Sequence, residues 1–399
     1  MKKSPRLNQM NRPGVILAGV VISALGAMVY NLLPLFLGTV QDSRSLSDSS
    51  VGILGSGFFA GFTLTSLTAW FWIRRYSWRI VGFGTIPIAA AALLSVGLTE
   101  SYLLMTIEIA IAGGAFSVFY SIGTKVIGDT SQAARWYGLK IACEAALGVA
   151  LLLILPGAVI QRWGFSGLVV AMVAVLIMLS PLLAGLPAQG IKVEGPVTKE
   201  DEFVVVRTLR VALWLGLAAV LIYLFSTTMI WAFIERIAHD AGFDAVVTGH
   251  VLSLSLILAV GGSMAAMVLS KRYGLSLPLA FAALLLLVSL VLLGESGSIT
   301  GYTMAICLFS FSFGLGLPYT VSVVADLDID GRFVVLTVPA MGIGIMLAPA
   351  LGGMLIGYGG HNAMLVAGAV SVLTALSLDL LALRLGWSPI NSQAEKTID

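Results

Sequence analysis

LPAQGIKVEGPVTKEDEFVVVRTLR, residues 186–210, is the one long polar interval in a chain of 399 residues that is otherwise 58% hydrophobic and only 11% charged. It combines Gly, Pro and six or more charges, a composition that suits a water-exposed linker with a short surface helix around Lys199 to Arg207. On either side the apolar residues gather into blocks, six before it and six after. A bilayer core about 30 Å thick needs about 20 helical residues per crossing, because each buried backbone group must be satisfied within its own segment. The blocks fall at 14–37, 51–73, 79–98, 102–126, 135–158 and 165–186, then at 209–236, 246–269, 276–294, 300–325, 333–357 and 362–385. Soluble globules carry about twice this charge, and the mean hydropathy is +1.01. The expected fold is an all-α polytopic membrane protein with twelve transmembrane helices, organised as 1–186, a linker at 187–208, and 209–399.

The start, MKKSPRLNQMNR followed by an apolar run, resembles a signal peptide, with Ala24–Ala27 as a conceivable cleavage site. The run continues to about Gly38, too long for a secretory h-region, and is read as span 1. Basic residues near spans stay on the cytoplasmic side. With the N-terminus inside, Arg44, Arg162 and Arg236 are the three exceptions among 22 Lys and Arg, leaving 19 on the cytoplasmic side. Both termini are therefore expected in the cytoplasm. The net charge of +2 reflects this asymmetry and gives no reason to expect a nucleic-acid partner. Cys143 and Cys307 both fall inside spans, which offers no disulfide framework.

The two halves look related. Arg74-Arg75-Tyr76-Ser77 after span 2 and Lys271-Arg272-Tyr273-Gly274 after span 8 are displaced by 197 residues (271 − 74), and so are Arg135 and Arg332 (332 − 135). By span count, central linker and these basic loops, nearly the full length resembles the major facilitator superfamily. That resemblance implies two pseudo-symmetric six-helix bundles around a central cavity, lined by spans 1, 2, 4, 5, 7, 8, 10 and 11, with alternating access by rocking. It also implies a monomer. The motifs match in part. The family's G-x-x-x-D-R-x-G-R-R/K loop is represented by Trp70, Arg74, Arg75, Tyr76, Ser77, Trp78 and Arg79, without its first Gly, its Asp and its second Gly. The second copy keeps Arg272 and Gly274 but has Met267 and Lys271 at the Gly and Asp positions. The antiporter pattern G-x-x-x-G-P-x-x-G-G is missing from span 5, and a near match runs from Gly344 to Gly353 in span 11.

Ionisable groups at membrane depth cost at least about 2.5 to 3.5 kcal/mol on insertion scales, so each calls for a partner or a function. Glu108 in span 4 has no opposite charge three or four positions away, and its face continues through Ala112, Ala115 and Phe119 as a groove for a cavity or a neighbouring helix. Glu144 in span 5 has Lys140 four residues earlier: a neutralised pair, or a site for the two ends of a zwitterion. A carboxylate among apolar helices can take up a proton near neutral pH, the physical basis of proton coupling. Glu108, or failing that Glu144, is the expected coupling acid. Further polar or aromatic candidates for the cavity are Tyr30, Asn31, Tyr120, Tyr223, Trp231, His250 and Tyr319. The end of span 7 offers i,i+4 pairs Glu235 with His239 and Arg236 with Asp240, read either as a solvated helix end near Gly242 or as an outer gate. On the inner side, Arg74, Arg75 and Arg79 face the acids Asp326, Asp328 and Asp330 in the resemblance, and Lys271 and Arg272 face Asp129. These form a candidate cytoplasmic gate of cross-bundle ion pairs, or they serve topology alone.

No P-loop G-x-x-x-x-G-K-[ST] occurs, and three His residues without H-E-x-x-H give little material for an enzyme or a metal site. The expectation is a secondary transporter of a small organic solute, proton-coupled, without cofactor, in a bacterial cytoplasmic membrane. A drug or metabolite efflux antiporter and an uncoupled lipid translocase or sensor are the alternatives.

Overall fold

The computed structural model describes residues 10–188, 207–295, 297–328 and 333–396, with the side chains of residues 70, 133–134, 207, 270–273 and 387–396 outside that description. The expected linker and surface helix fall largely on 189–206, and the side chains of Lys271 and Arg272, with Asp330 and Arg332, likewise lie outside the described residues.

Among the described residues every regular element is helical, and ten segments are long and apolar enough to cross a membrane. Two of them, Arg135–Gly185 and Val334–Gly386, are 51 and 53 residues long. The first is broken at Gly164 (φ 55°, ψ −145°) and the second at Gly359 and Gly360 (φ −144° and 69°). The positive φ at Gly164 and Gly360 is a conformation that side-chain-bearing residues adopt at a cost. Counting each broken segment as two passes is consistent with the twelve expected spans. Span 1 is longer than its apolar block, Pro13–Asn31 continuing as Leu33–Arg44. Span 7 runs Arg207–Asp240.

The repeat is visible in how the helices begin. Ser47 caps span 2 (Asp48–Trp72) by accepting from Ser50 N at 3.2 Å, and Asp244 caps span 8 (Ala245–Tyr273) by accepting from Val246 N at 2.9 Å. These caps stand 197 residues apart (244 − 47), as do Ser101 and Ser298, which precede span 4 (Tyr102–Gly128) and span 10 (Ile299–Leu327).

The chain divides into two compact units. The first comprises spans 1 to 6 with Trp231–Ile257 and Pro349–Gly357; the second holds the remainder of spans 7 to 12. In the first unit spans 2 and 4 cross closely: a Cβ at Gly61 would overlap the Ala110 carbonyl, and one at Gly113 would overlap the Phe58 carbonyl. The second unit repeats this between spans 8 and 10, with Gly262 against the Phe311 carbonyl and Gly314 against the Ala259 carbonyl. Small residues let membrane helices approach to backbone contact, where dispersion substitutes for a hydrophobic drive that lipid cannot supply. Long apolar side chains such as Leu64, Ile80, Leu103, Met178 and Met267 remain exposed, as a surface facing hydrocarbon requires.

Prolines free carbonyls that neighbouring spans then use. Pro34 has no N–H for the Tyr30 carbonyl one turn back, and Trp231 Nε1 donates to that carbonyl at 3.0 Å within the first unit. Pro318 frees Gly314 in the same way, and Ser263 Oγ donates there at 3.1 Å within the second.

Candidate functional site

Span 5 carries Lys140 and Glu144 one helical turn apart on a single face, and in the fold they pair: Lys140 Nζ stands 2.7 Å from Glu144 Oε1. The ammonium side chain is 3% exposed and the carboxylate side chain 12%. Two other spans close around the pair. Tyr120 from span 4 places its ring 4.2 Å from Lys140 Nζ, a cation–π contact. From span 1, Ser23 Oγ donates to Glu144 Oε1 at 2.5 Å and Asn31 Nδ2 donates to the Glu144 carbonyl at 2.8 Å. Glycines make this convergence possible. A Cβ at Gly148 would lie 2.9 Å from the Asn31 Cβ, and one at Gly26 would lie 2.5 Å from Tyr120 N. Spans 1, 4 and 5 thus hold a neutralised ion pair whose carboxylate is its more accessible end. It can accept a hydrogen bond or a proton, or exchange Lys140 for another cation.

Of the expected site residues, Asn31, Tyr120 and Glu144 come together here. Glu108 is placed elsewhere, accepting from Thr99 Oγ1 at 2.9 Å, with its Oε2 buried and without a hydrogen-bond partner. The groove running from it is filled by packing, for Ala112, Ala115 and Phe119 are buried. Tyr223 donates to the Ser312 and Phe313 carbonyls at 3.4 and 3.3 Å, and Tyr319 donates to the Ala266 carbonyl at 3.0 Å, so both hydroxyls serve the interior of the second unit. Trp231 is engaged with Tyr30 as described, and His250 is exposed.

On the expected gate, Arg74, Arg75 and Asp326 are exposed. Asp129 pairs with Lys125 at i,i+4, 2.5 Å apart, and Asp328 Oδ2 accepts from Val334 N at 2.7 Å. Arg236 and Asp240 pair at 3.1 Å as the spacing suggested, whereas His239 faces Asp42 and Asp240 in place of Glu235.

Three residues escaped the sequence reading. Ser23 is a lone hydroxyl in an apolar run and carries no signal there. Glu235 reads as part of a wet helix end but is buried. Asp379 in span 12 is 1% exposed and hydrogen-bonded to Thr320, with Oδ1 lacking a partner; an acid in the middle of ALSLDLLAL was the available signal. Among the described residues no group of three or more His, Cys, Asp or Glu could hold a metal ion, and Cys143 and Cys307 are free thiols.

Comparison with known proteins agrees with this architecture. No curated protein matches the sequence significantly. Among solved structures, a bacterial homologue of the human lysosomal transporter Spinster, inward-facing and occupied, superposes with a TM-score of 0.70 at 17% identity, over 93% of this chain and 96% of that one. The nucleoside transporter NupG gives 0.68 at 13% identity, over 93% and 98%. These identities speak for the fold. The Major Facilitator Superfamily profile matches residues 16–328, more than three quarters of the sequence, and the chain belongs to that family of transporters.

Proposed function

We propose that this protein is a secondary active transporter that moves a small organic solute across the cytoplasmic membrane by alternating access, coupled to protons. The Ser23, Asn31, Tyr120, Lys140 and Glu144 cluster supplies its polar recognition. The observation that carries this reading is the buried Lys140–Glu144 pair, 2.7 Å apart and held by neutral groups from two other spans. Ionised residues inside a span are costly and mark substrate or ion pathways by default. Because Lys140 is the more deeply buried partner, an arriving solute meets the carboxylate first. A solute with an ammonium or hydrogen-bond donor, a zwitterion included, or a proton, competes with Lys140 for Glu144. Glu144 is accordingly preferred to Glu108 as the coupling acid.

Both termini lie in the cytoplasm on this reading. Arg74, Arg75 and Asp326 are the exposed gate residues on this reading, since Asp129 and Asp328 already have local partners.

The test is a thermal-shift screen of the purified protein against sugars, amino acids, nucleosides, organic acids, polyamines and lipophilic cations at two pH values. Nucleosides are included because one structural neighbour transports them. A ligand that binds the folded state raises its apparent stability by mass action. A pH-dependent hit that vanishes in Glu144→Gln, followed by accumulation in proteoliposomes under a pH gradient, is the expected outcome. Outward-only movement would identify an efflux antiporter. Folded protein with no hit and no accumulation would favour the lipid translocase or sensor alternative.

A further inference from the structure

We propose that Glu235 is a proton-binding site of the closed outer end, taking up one proton when spans 1 and 7 come together and releasing it when they part. This rests on the alternating-access reading above and adds a second, separate acid to it.

The geometry begins with Gly38 in span 1. A Cβ at that position would overlap the Glu235 carboxyl, so the acid lies directly against the span 1 backbone. Glu235 is 9% exposed and its Oε2 has no hydrogen-bond partner. The helical backbone of span 1 has no spare N–H to offer it. The charged groups around it are committed elsewhere. Arg236, on the same span, reaches Asp42 of span 1 at 2.8 Å and Asp240 at 3.1 Å. His239 lies 3.6 Å from Asp42 and 3.2 Å from Asp240. Of the other charged groups on this part of span 1, Arg44 donates to the Gly97 carbonyl, and Asp48 just beyond it accepts from Gln41. The cluster thus holds three carboxyls against one guanidinium and one imidazole, and the two acids that are paired are the exposed ones, at 48% and 42%.

A carboxylate buried without donors is strongly disfavoured, whereas its neutral acid is far less so. The contact with Gly38 therefore selects protonated Glu235. Parting of spans 1 and 7 would let water reach the side chain and favour the carboxylate. Closure then binds a proton, and by linkage the ratio of closed to open outer ends should change by up to about tenfold per pH unit, rising as pH falls. The Asp42–Arg236 pair also spans the two helices but works in the opposite sense, because protonating Asp42 weakens it. His239 works in the same sense as Glu235 and needs its own control.

The test uses the full chain in lipid nanodiscs, with Cys143 and Cys307 replaced by Ser and spin labels on cysteines introduced by Ser43→Cys and Ala241→Cys. Both label sites are exposed. Pulsed EPR distances are then followed across a pH series. The expected result is two distance populations, the short one growing as pH falls. Glu235→Gln should hold the short population at every pH, and His239→Gln should leave the titration in place. Two populations whose ratio ignores pH, a Glu235→Gln variant that titrates like its parent, or loss of the titration in His239→Gln would each overturn the inference and leave the transporter reading standing. One fixed distance under all conditions would overturn both. If Glu235→Gln fails to fold, Gly38→Ala should shift the parent severalfold toward the long population at each pH, and no shift would count against the site.

Discussion

Removing either member of the Lys140–Glu144 pair should destabilise the protein far more than removing both. At 2.7 Å and an effective dielectric of about 20, the gross attraction is about 6 kcal/mol. Taking the two ions out of water costs several kcal/mol each, so the intact pair contributes little net stability. Lys140→Met leaves Glu144 with the Ser23 hydroxyl and 12% access. Glu144→Gln leaves an ammonium that is 3% exposed, held by the Tyr120 face and a neutral amide. Each single change should cost up to about 3 to 5 kcal/mol. Lys140→Met with Glu144→Gln removes both charges and should return to within about 1 kcal/mol of the parent, so the two single costs should be far from additive. Apparent melting temperatures in one detergent and lipid mixture give the comparison. Costs that simply add in the double variant would show that the two residues act independently and would remove the basis for a shared site. Near-zero costs for both single changes would show that water reaches the pair freely.

Three further outcomes follow from packing. Gly261 and Gly262 are adjacent, but a Cβ meets nothing within 4 Å at Gly261 and overlaps the Phe311 carbonyl at Gly262. Gly261→Ala should therefore be neutral or stabilising by up to about 1 kcal/mol, and Gly262→Ala should cost about 1 to 3 kcal/mol; equal melting temperatures would contradict the close crossing of spans 8 and 10. Trp231→Phe removes the indole donor to the Tyr30 carbonyl and should cost about 1 kcal/mol, with a smaller cost in a Pro34→Ala background, where residue 34 regains an N–H; the four melting temperatures of that cycle decide it. Asp379→Asn keeps the shape and the Thr320 contact without a buried acid and should stay within about 1 kcal/mol of the parent, whereas Thr320→Val strands the carboxyl and should cost about 1 to 3 kcal/mol; the reverse ranking in a thermal melt would refute the assignment.

The spans were legible because a bilayer imposes its own ruler: a helix that crosses it shows as about 20 apolar residues whatever its partners are. The pair in span 5 was legible for a similar reason, since i,i+4 spacing places Lys140 and Glu144 on one face before any tertiary structure is known. What surrounds that pair was not. Tyr120 and Asn31 stood out as polar residues in apolar runs, but their convergence depends on Gly26 and Gly148, which look like any other small residue in the sequence. Glu108 shows the converse. Its lack of a charged partner on its own helix left a substrate or proton role and a structural hydrogen bond both open, and its partner is Thr99, a neutral hydroxyl beyond the preceding turn. Glu235 was paired on paper with His239, one turn along the same helix, while the contact that determines its environment is a glycine in span 1. Spacing along one helix predicts neighbours on that helix; it is silent on the face of another.

The internal repeat carries the same distinction further. Helix starts obey a displacement of 197 residues, as at Ser47 and Asp244 or Ser101 and Ser298. The crossing glycines obey 201: Gly61 with Gly262 (262 − 61) and Gly113 with Gly314 (314 − 113). Spans 8 and 10 therefore each hold four more residues between start and crossing, about one turn at 3.6 residues per turn. One added turn leaves a side chain on nearly the same face, and adding it to both partners keeps the spacing of 52 residues between crossing glycines (113 − 61 and 314 − 262). Had only one span gained the turn, its glycine would sit about 6 Å along the axis from the carbonyl it must meet, and a side chain would fill the gap. The crossing therefore constrains both helices together while leaving its position along them free: the basic loops keep the 197-residue displacement, so the turn added before the crossing is taken from the stretch after it, which is why a fixed-offset comparison of the sequence finds the caps and basic loops of the two halves but passes over the glycines that pack them.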